Sequence, residues 1–328
     1  MDYLKTITVP TPFPVGPVNC YLVEGDELTL IDTGPIDPPT LESLRDQLCA
    51  RGIEFKDFKR LIITHAHVDH FGLAAQIVAA SGARVYSHPR NRWWLTDYDN
   101  EWNSRHEFFL ELFAASGAPR ALAEALAQGR KNFARYGASI PAENFFPLDE
   151  GDTLALNGDR WNVLCCPGHA SGLIVLYESK SRELLSNDHL LLNISSNPVI
   201  EAPARGETAR PRMLVDYLAS FEKTARVDVR IARTGHGAPI HDTRALIAAR
   251  IAFHRARLDR IEQEIGNGAV TVFEMVQRIF PRLKPNDLFL ALSEIIGHLD
   301  ILELDGRIQF EEQAGIKKYS PTRAAQPA

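Results

Sequence analysis

The chain has 328 residues, of which 45% are hydrophobic and 24% are charged. This balance is typical of a soluble globular protein, and the length suggests about two domains. The 36 basic and 42 acidic side chains give a net charge of −6, so the composition shows no affinity for nucleic acid or for an anionic membrane. Nucleic acid is therefore not expected as a partner.

The sequence carries no sign of export or of membrane insertion. Residues 1–5 combine neither a basic segment nor an apolar one, and no apolar run approaches the roughly 18 residues needed to span a bilayer. The 4 cysteines do not form a disulfide pattern, which indicates reduced thiols. We expect a cytoplasmic protein with no membrane partner, and the sequence leaves open whether it forms homo-oligomers.

Apolar runs and turn residues predict alternating strands and helices over the first part of the chain. The predicted elements are strands at 20–23 and 28–31, a helix at 38–52, a strand at 60–64, a helix at 73–81 and a strand at 84–87. Strand, helix and strand in this order are typical of an α/β layer.

Residues 91–142 interrupt this alternation with a helical insertion. Seven large aromatic residues lie between positions 93 and 113, including Trp93 and Trp94. The insertion is either additional core or a wall over a binding site, since pockets are often lined by aromatic side chains.

Strand patterns return after the insertion, and the character changes after Asp242. The predicted elements are strands at 153–156, 161–164, 173–177 and 183–185, a helix at 211–224, a strand at 229–232, helices at 243–264, 272–279 and 288–302, and a turn into a strand at 305–308. Two helices followed by a small hairpin are the order of a winged-helix module. We therefore predict domains at 1–242 and 243–318, with a flexible tail at 319–328.

The segment His65-Ala66-His67-Val68-Asp69-His70 directly follows a predicted buried strand. A loop that closes a strand can aim alternate side chains at one point, so His65 and His67 could share one metal while Asp69 and His70 reach a second. Imidazole nitrogen and carboxylate oxygen are ligands that suit zinc, with iron or manganese as alternatives.

Further donors lie in later loops of the chain. His169, Asp188 and His236 each follow a strand pattern, and His169 and His236 are flanked by glycine. Glycine permits close approach of the backbone and unusual dihedral angles. Cys165 and Cys166 lie near His169, but buried thiols at a strand end are the expected role for both.

These motifs, in this order and with Asp32 in an Ile-Asp-Thr-Gly turn upstream, resemble the metallo-β-lactamase-fold hydrolase superfamily between Val9 and His241. The resemblance implies an α/β fold, a four-layer αββα sandwich with two metals at one edge of the sheets. It implies that one metal is bound by His65, His67 and His169, that the other is bound by Asp69, His70 and His236, that Asp188 bridges them, and that Asp32 orients a ligand imidazole.

The C-terminal region is similar to the winged-helix extension of the β-lactamase-like-protein-2 group. That group includes hydroxyacylglutathione hydrolase-like enzymes and a nuclease branch. Asp188 stands where class B β-lactamases with a cysteine ligand carry that cysteine. Antibiotic hydrolysis is therefore not expected.

The resemblance and the residues together predict a dinuclear hydrolase with two Zn²⁺ ions per chain. A hydroxide between the metals would attack a thioester or ester carbonyl of a small-molecule acyl substrate. Asp69 and Asp188 are the predicted catalytic carboxylates. The alternatives on the same fold are a metal-dependent ribonuclease and an iron-dependent persulfide dioxygenase.

Overall fold

The computed structural model of the protein describes residues 3–266, 268–284 and 287–322. The first sheet follows chain order, with strands β1 (Leu4–Val9), β2 (Val18–Val23), β3 (Thr29–Ile31), β4 (Arg60–Ile63), β5 (Arg84–Ser87) and β6 (Phe145–Pro147). Strands β1 to β3 pair antiparallel, and β3 to β6 pair parallel. Strands β1 and β6 were not predicted, since β1 mixes threonine and lysine with its apolar residues and β6 has only three residues.

The second sheet has the strand order β11-β10-β9-β8-β7. Its strands are β7 (Thr153–Leu156), β8 (Asp159–Cys165), β9 (Ile174–Glu178), β10 (Glu183–Asn187) and β11 (Ile231–Thr234). All neighbours are antiparallel except β10 and β11, which run parallel. Consequently β8, β10 and β11 all point in one direction.

Helices cover the sheets and form most of the C-terminal region. They are α1 (Pro38–Cys49), α2 (Val68–Phe71), α3 (Ala74–Ser81), α4 (Arg92–Thr96), α5 (Tyr98–Ser104), α6 (His106–Ala115), α7 (Arg120–Lys131), α8 (Met213–Ala225), α9 (Thr243–Ile265), α10 (Val272–Ile279) and α11 (Leu288–Leu304). The predicted helix α9 begins where Asp242 accepts a hydrogen bond from the backbone N–H of Ala245 at 2.9 Å, which is the geometry of an N-cap.

The four layers follow from the alternation of side chains along the strands. In β4, Leu61 and Ile63 face a core shared with α1 and α3, whereas Ile62 faces a core between the two sheets. On the far side of the second sheet, Leu184 packs with Phe221 of α8. The predicted αββα sandwich is thereby confirmed.

The aromatic insertion is divided between two cores. Tyr98 is buried in the core of the first sheet, and Phe109 and Phe113 are buried in a core shared with α9, α10 and α11. These residues act as scaffold. Trp93, by contrast, has 41% of its surface exposed and stacks with the guanidinium of Arg205 at 4.5 Å.

Trp94→Ala is expected to lower the free energy of unfolding by about 2–4 kcal/mol, because burial makes Trp→Ala costly. Trp94 packs against the first core, and its ring meets that of Trp102 edge-on at 5.4 Å. The matched variant Trp93→Ala removes an exposed ring and a cation–π contact, which we expect to cost below about 1 kcal/mol. Urea denaturation measures both, and equal losses would contradict this division of roles.

The C-terminal helices pack with a small sheet of strands β12 (Val270–Thr271), β13 (Ile308–Gln313) and β14 (Ile316–Pro321), in the order β12-β14-β13. The winged-helix assignment and the domain boundary at 242 stay predictions. The predicted flexible tail is wrong at residues 319–321, because these residues pair with β13 and Tyr319 also pairs with Val270. The rest of the predicted tail, from 323 onward, lies outside the described residues.

A buried pair of histidines joins α9 to α11. His254 Nδ1 and His298 Nε2 lie 3.4 Å apart. Burial, together with Arg250 and Arg257, lowers the pKa of His254 to about 4, and burial lowers that of His298 to about 3. The folded protein therefore holds both rings neutral at pH values where the unfolded chain, with an ordinary pKa of about 6.5, binds protons.

The stabilising effect of this neutral pair is expected to be complete above about pH 6.5 and to be lost as the pH falls toward 4. For His254 alone the loss between pH 7 and pH 5 is about 2 kcal/mol. His254→Gln should remove that part of the pH dependence of the unfolding free energy, measured by urea denaturation at both pH values. His241→Gln changes an exposed histidine and should leave the dependence intact.

Within the described ranges, no helix is both long enough and apolar enough to cross a membrane.

Candidate metal centre

The strand directions bring several loops to one edge of the sandwich. Asp32 follows β3 and Thr64 follows β4, while the loops after β8, β10 and β11 leave the second sheet at the same edge. Two backbone hydrogen bonds join the sheets there, from Ile174 N to Thr64 O at 2.9 Å and from Asn19 N to Gly235 O at 2.7 Å. The edge is thus a fixed seam between the two sheets.

The candidate ligands named from the sequence meet at this seam. They are His65, His67, Asp69, His70, His169, Asp188 and His236. The carboxylate of Asp188 is at the middle, since its Oδ2 lies 3.5 Å from Nε2 of each of His70, His169 and His236. Asp188 therefore touches the rings that the sequence assigned to two different metals.

The remaining distances define overlapping groups of donors. All donor atoms lie within 4.8 Å of one another in the groups His65, His67 and His169; His65, His70 and Asp188; and Asp69, His70 and His236. His65 Nε2 lies 3.1 Å from His67 Nδ1, and His236 Nε2 lies 3.4 Å from Asp69 Oδ2. Spacings of this size leave room for a cation between the donors.

Several of these donor atoms are buried without a hydrogen-bond partner. In the described part of the chain, this holds for Nε2 of His70, His169 and His236 and for Oδ1 of Asp188. Burying polar atoms without partners is unfavourable, so their convergence on one point favours a bound ligand that satisfies them together. Imidazole nitrogens with carboxylate oxygens are a donor set that fits a divalent metal such as zinc.

Asp32 orients the ring of His70 through a hydrogen bond to its Nδ1 atom. Its Oδ2 accepts a hydrogen bond from His70 Nδ1 at 2.7 Å, and Thr64 donates to both carboxylate oxygens through its N–H and its hydroxyl. Burial alone would lower the pKa of His70, but the carboxylates of Asp188, Asp32 and Asp69 outweigh burial and raise it well above its usual range. His70 Nε2 is left facing the centre of the cluster.

Two other rings are oriented by backbone carbonyls that the sequence analysis missed. His236 Nδ1 donates to Pro17 O at 2.8 Å, and His169 Nδ1 donates to Asn197 O at 3.1 Å. A carbonyl only accepts, so each Nδ1 carries the proton and each Nε2 keeps its lone pair for a metal. A carbonyl is present in every residue, and no sequence signal distinguishes these two.

The ionisation of the cluster is set by burial and by its neighbours. Burial lowers the pKa of His67 to about 3 and that of His65 well below its usual range, so both rings are neutral and can donate lone pairs. Burial would raise the pKa of Asp69, but His70 and His236 lower it to about 2. Asp69 is therefore an anion at neutral pH.

Two glycines allow the loops to approach this closely. A Cβ on Gly235 would lie 2.0 Å from Asp188 Oδ1, and one on Gly168, whose φ is +146°, would lie 2.4 Å from Tyr217 Cα. Both separations are far below van der Waals contact. The expectation that glycine serves close backbone approach near His169 and His236 is met at both positions.

Other nearby donors are engaged elsewhere. His189 Nε2 bonds to Thr224 at 2.8 Å, and Cys166 is buried. Cys165 is half-buried rather than buried, and its thiol donates to Asp149 at 3.4 Å.

His88 joins Cys165 and Asp149 in a further group of donors. His88 Nδ1 accepts from Arg90 N at 3.1 Å, so a neutral ring carries its proton on Nε2, facing Asp149. This proton makes the group a hydrogen-bonded cluster rather than a metal site.

The sequence of this chain is similar to those of known proteins. A family model described as the metallo-beta-lactamase superfamily matches residues 13–236. Probable metallo-hydrolase YqjP of Bacillus subtilis is 36% identical over 305 residues, which cover 92% of each chain. Probable metallo-hydrolase YflN of the same organism is 24% identical and spans 68% of this chain and 81% of its own.

Solved structures extend the similarity to the C-terminal elements. The metallo-beta-lactamase family protein TTHA1429 from Thermus thermophilus superposes with a TM-score of 0.84 at 29% identity, covering 98% of this chain and 99% of its own. A beta-lactamase domain protein from Burkholderia ambifaria has a TM-score of 0.82 at 23% identity, covering 97% and 92%. The fold is therefore shared over nearly the whole chain.

Proposed function

The chain belongs to the metallo-β-lactamase superfamily, and we propose that it is a dinuclear zinc hydrolase of a thioester or ester. The observation that carries the proposal is the convergence of buried, unpartnered ring nitrogens on the carboxylate of Asp188. Two relatives described as probable metallo-hydrolases, YqjP and YflN, support the reaction class.

The proposed ligand sets follow the donor groups. One zinc would be held by His65, His67 and His169, the other by Asp69, His70 and His236, and both by Asp188. Bound zinc lowers the pKa of water to about 7 and polarises a carbonyl oxygen, which supplies the nucleophile and stabilises developing negative charge.

Asp69 is the carboxylate best placed to exchange a proton with the reaction. Its side chain is 13% exposed, whereas that of Asp188 is 5% exposed. The low pKa of Asp69, about 2, keeps its carboxylate ionised at neutral pH. Asp32, fully buried behind His70, holds that ring in place and does not reach the substrate.

An acyl substrate is supported by apolar side chains close along the chain to the ligands. Leu192 and Ile194, which are 39% and 42% exposed, follow Asp188, and Val15 precedes the Pro17 carbonyl that orients His236. Exposed apolar groups beside a polar reactive centre are typical of sites that bind the hydrocarbon part of a ligand.

The test combines metal analysis with a substrate screen on one preparation. We expect two zinc ions per chain and turnover of thioesters or esters, with single-stranded RNA left intact. If the bound metal is iron and the protein consumes oxygen with a persulfide as substrate, the protein is a dioxygenase and the proposal is wrong. If the protein cleaves RNA and shows no esterase activity, it is a ribonuclease and the proposal is equally wrong.

A further inference from the structure

A long loop without helix or strand, residues 188–212, joins β10 to α8 and reaches the metal centre. Ser196 donates its hydroxyl to the carbonyl of Asp188, and the carbonyl of Asn197 accepts from His169 Nδ1 at 3.1 Å. Two of the proposed ligands are thus oriented by residues of this loop. Whatever fixes residues 189–197 therefore also fixes His169 and Asp188.

This loop has little support of its own. In the part of the chain that the structure describes, residues 190–203 form no hydrogen bond between backbone groups. The later part of the loop is tied to α11, where Arg210 forms a two-bonded ion pair with Asp300 at 2.6 and 2.8 Å and Ile200 N donates to Ser293. These contacts all lie beyond Asn197. Residues 189–197, which adjoin the ligands, are therefore held by other contacts.

Tyr217 and Ser186 donate to the carbonyls of His189 and Leu190, and Arg250 of α9 supplies the hydrogen bonds to residues 191–194. Its Nη2 lies 2.9 Å from Ile194 O, 3.3 Å from Leu191 O and 3.4 Å from Leu192 O. The side chain is half-buried, and within the described residues it forms no ion pair with a carboxylate. Its charge is therefore directed at three carbonyls of one loop, and hydrogen bonds from a charged donor are stronger than neutral ones.

We propose that Arg250 is a positioning residue, which holds residues 191–194 so that Ser196 and Asn197 keep Asp188 and His169 in the geometry that binds metal. The proposal rests on the proposed metal centre. It assigns the C-terminal helix α9 a part in shaping a site whose ligands all come from other elements. The same contacts fix the backbone of Leu192 and Ile194, the exposed apolar residues proposed to face the acyl group.

The test compares Arg250→Met, which keeps the apolar stem and removes every donor, with Arg255→Met, which changes an exposed arginine of the same helix. Zinc affinity is measured by competition with a chelator. The rate at which proteinase K cleaves within residues 190–197 is measured with and without zinc. We expect the zinc dissociation constant of Arg250→Met to rise roughly 10- to 100-fold, as it does when outer partners of metal ligands are removed. Cleavage within residues 190–197 should be at least tenfold faster, and Arg255→Met should match the wild type.

Arg250→Lys keeps one charged donor and should give intermediate values for both quantities. Wild-type zinc affinity and wild-type rates of cleavage in a folded Arg250→Met protein would overturn the proposal. If Arg250→Met does not fold, wild-type values of both quantities in Arg250→Lys would also overturn the proposal. Cleavage of the metal-free protein tests Arg250 even if the chain binds no zinc or hydrolyses no ester, so failure of the proposed function is seen separately.

Discussion

Replacing Asp188 with asparagine is expected to lower kcat by roughly 10³-fold or more. Removal of a single donor that stabilises transition-state charge already costs about 10²–10³ in rate. Asp188 lies within 3.5 Å of rings in both proposed ligand sets, so the neutral amide weakens both at once. The shape of the side chain is retained, and the backbone of β10 should be undisturbed.

Steady-state kinetics and zinc content of Asp188→Asn are measured beside Asp228→Asn. Asp228 is an exposed residue paired with Arg182, and it precedes β11 at the end of the sheet opposite the metal centre. The control should retain wild-type rates. An Asp188→Asn enzyme that kept its full metal content and near-normal kcat would exclude Asp188 as the shared ligand.

His67→Ala is expected to remove one bound zinc per chain and to reduce kcat/KM by roughly 10³-fold, because the proposed site loses one of its three histidine ligands. Among the described residues, the neighbouring His189 uses its Nε2 to bond to Thr224. His67 lies at the start of the short helix α2, with its ring packed edge-on against His169 at 4.5 Å.

The matched control for His67→Ala is His241→Ala, which removes an exposed histidine. Metal content is determined after dialysis, and activity is assayed on the substrate found in the screen. Two zinc ions in His67→Ala, or activity close to that of the wild type, would remove His67 from the ligand set. Loss of activity with full metal retention would instead indicate a role for His67 at the substrate.

The strand pattern and the chemical types at the metal centre could be predicted from the sequence. The apolar run at β4 predicted a buried strand, and the strand places Leu61 and Ile62 in two different cores. The sequence does not show which aromatic residues of the insertion are buried, because Phe113 and Trp93 are both large apolar residues in helical segments. One ring is fully buried against the C-terminal helices and the other is largely exposed.

The α/β order of elements follows from the sequence, because hydrophobic period is a local property, and the candidate ligands follow from its motifs and from the family that these motifs resemble. The orientation of those ligands depends on contacts that form only in the folded chain. Pro17 reaches His236 across 219 positions of the chain, and Arg250 reaches Ile194 across 56. Both contacts end on backbone carbonyls, which are identical in every residue, so their partners are fixed only when packing brings distant segments together.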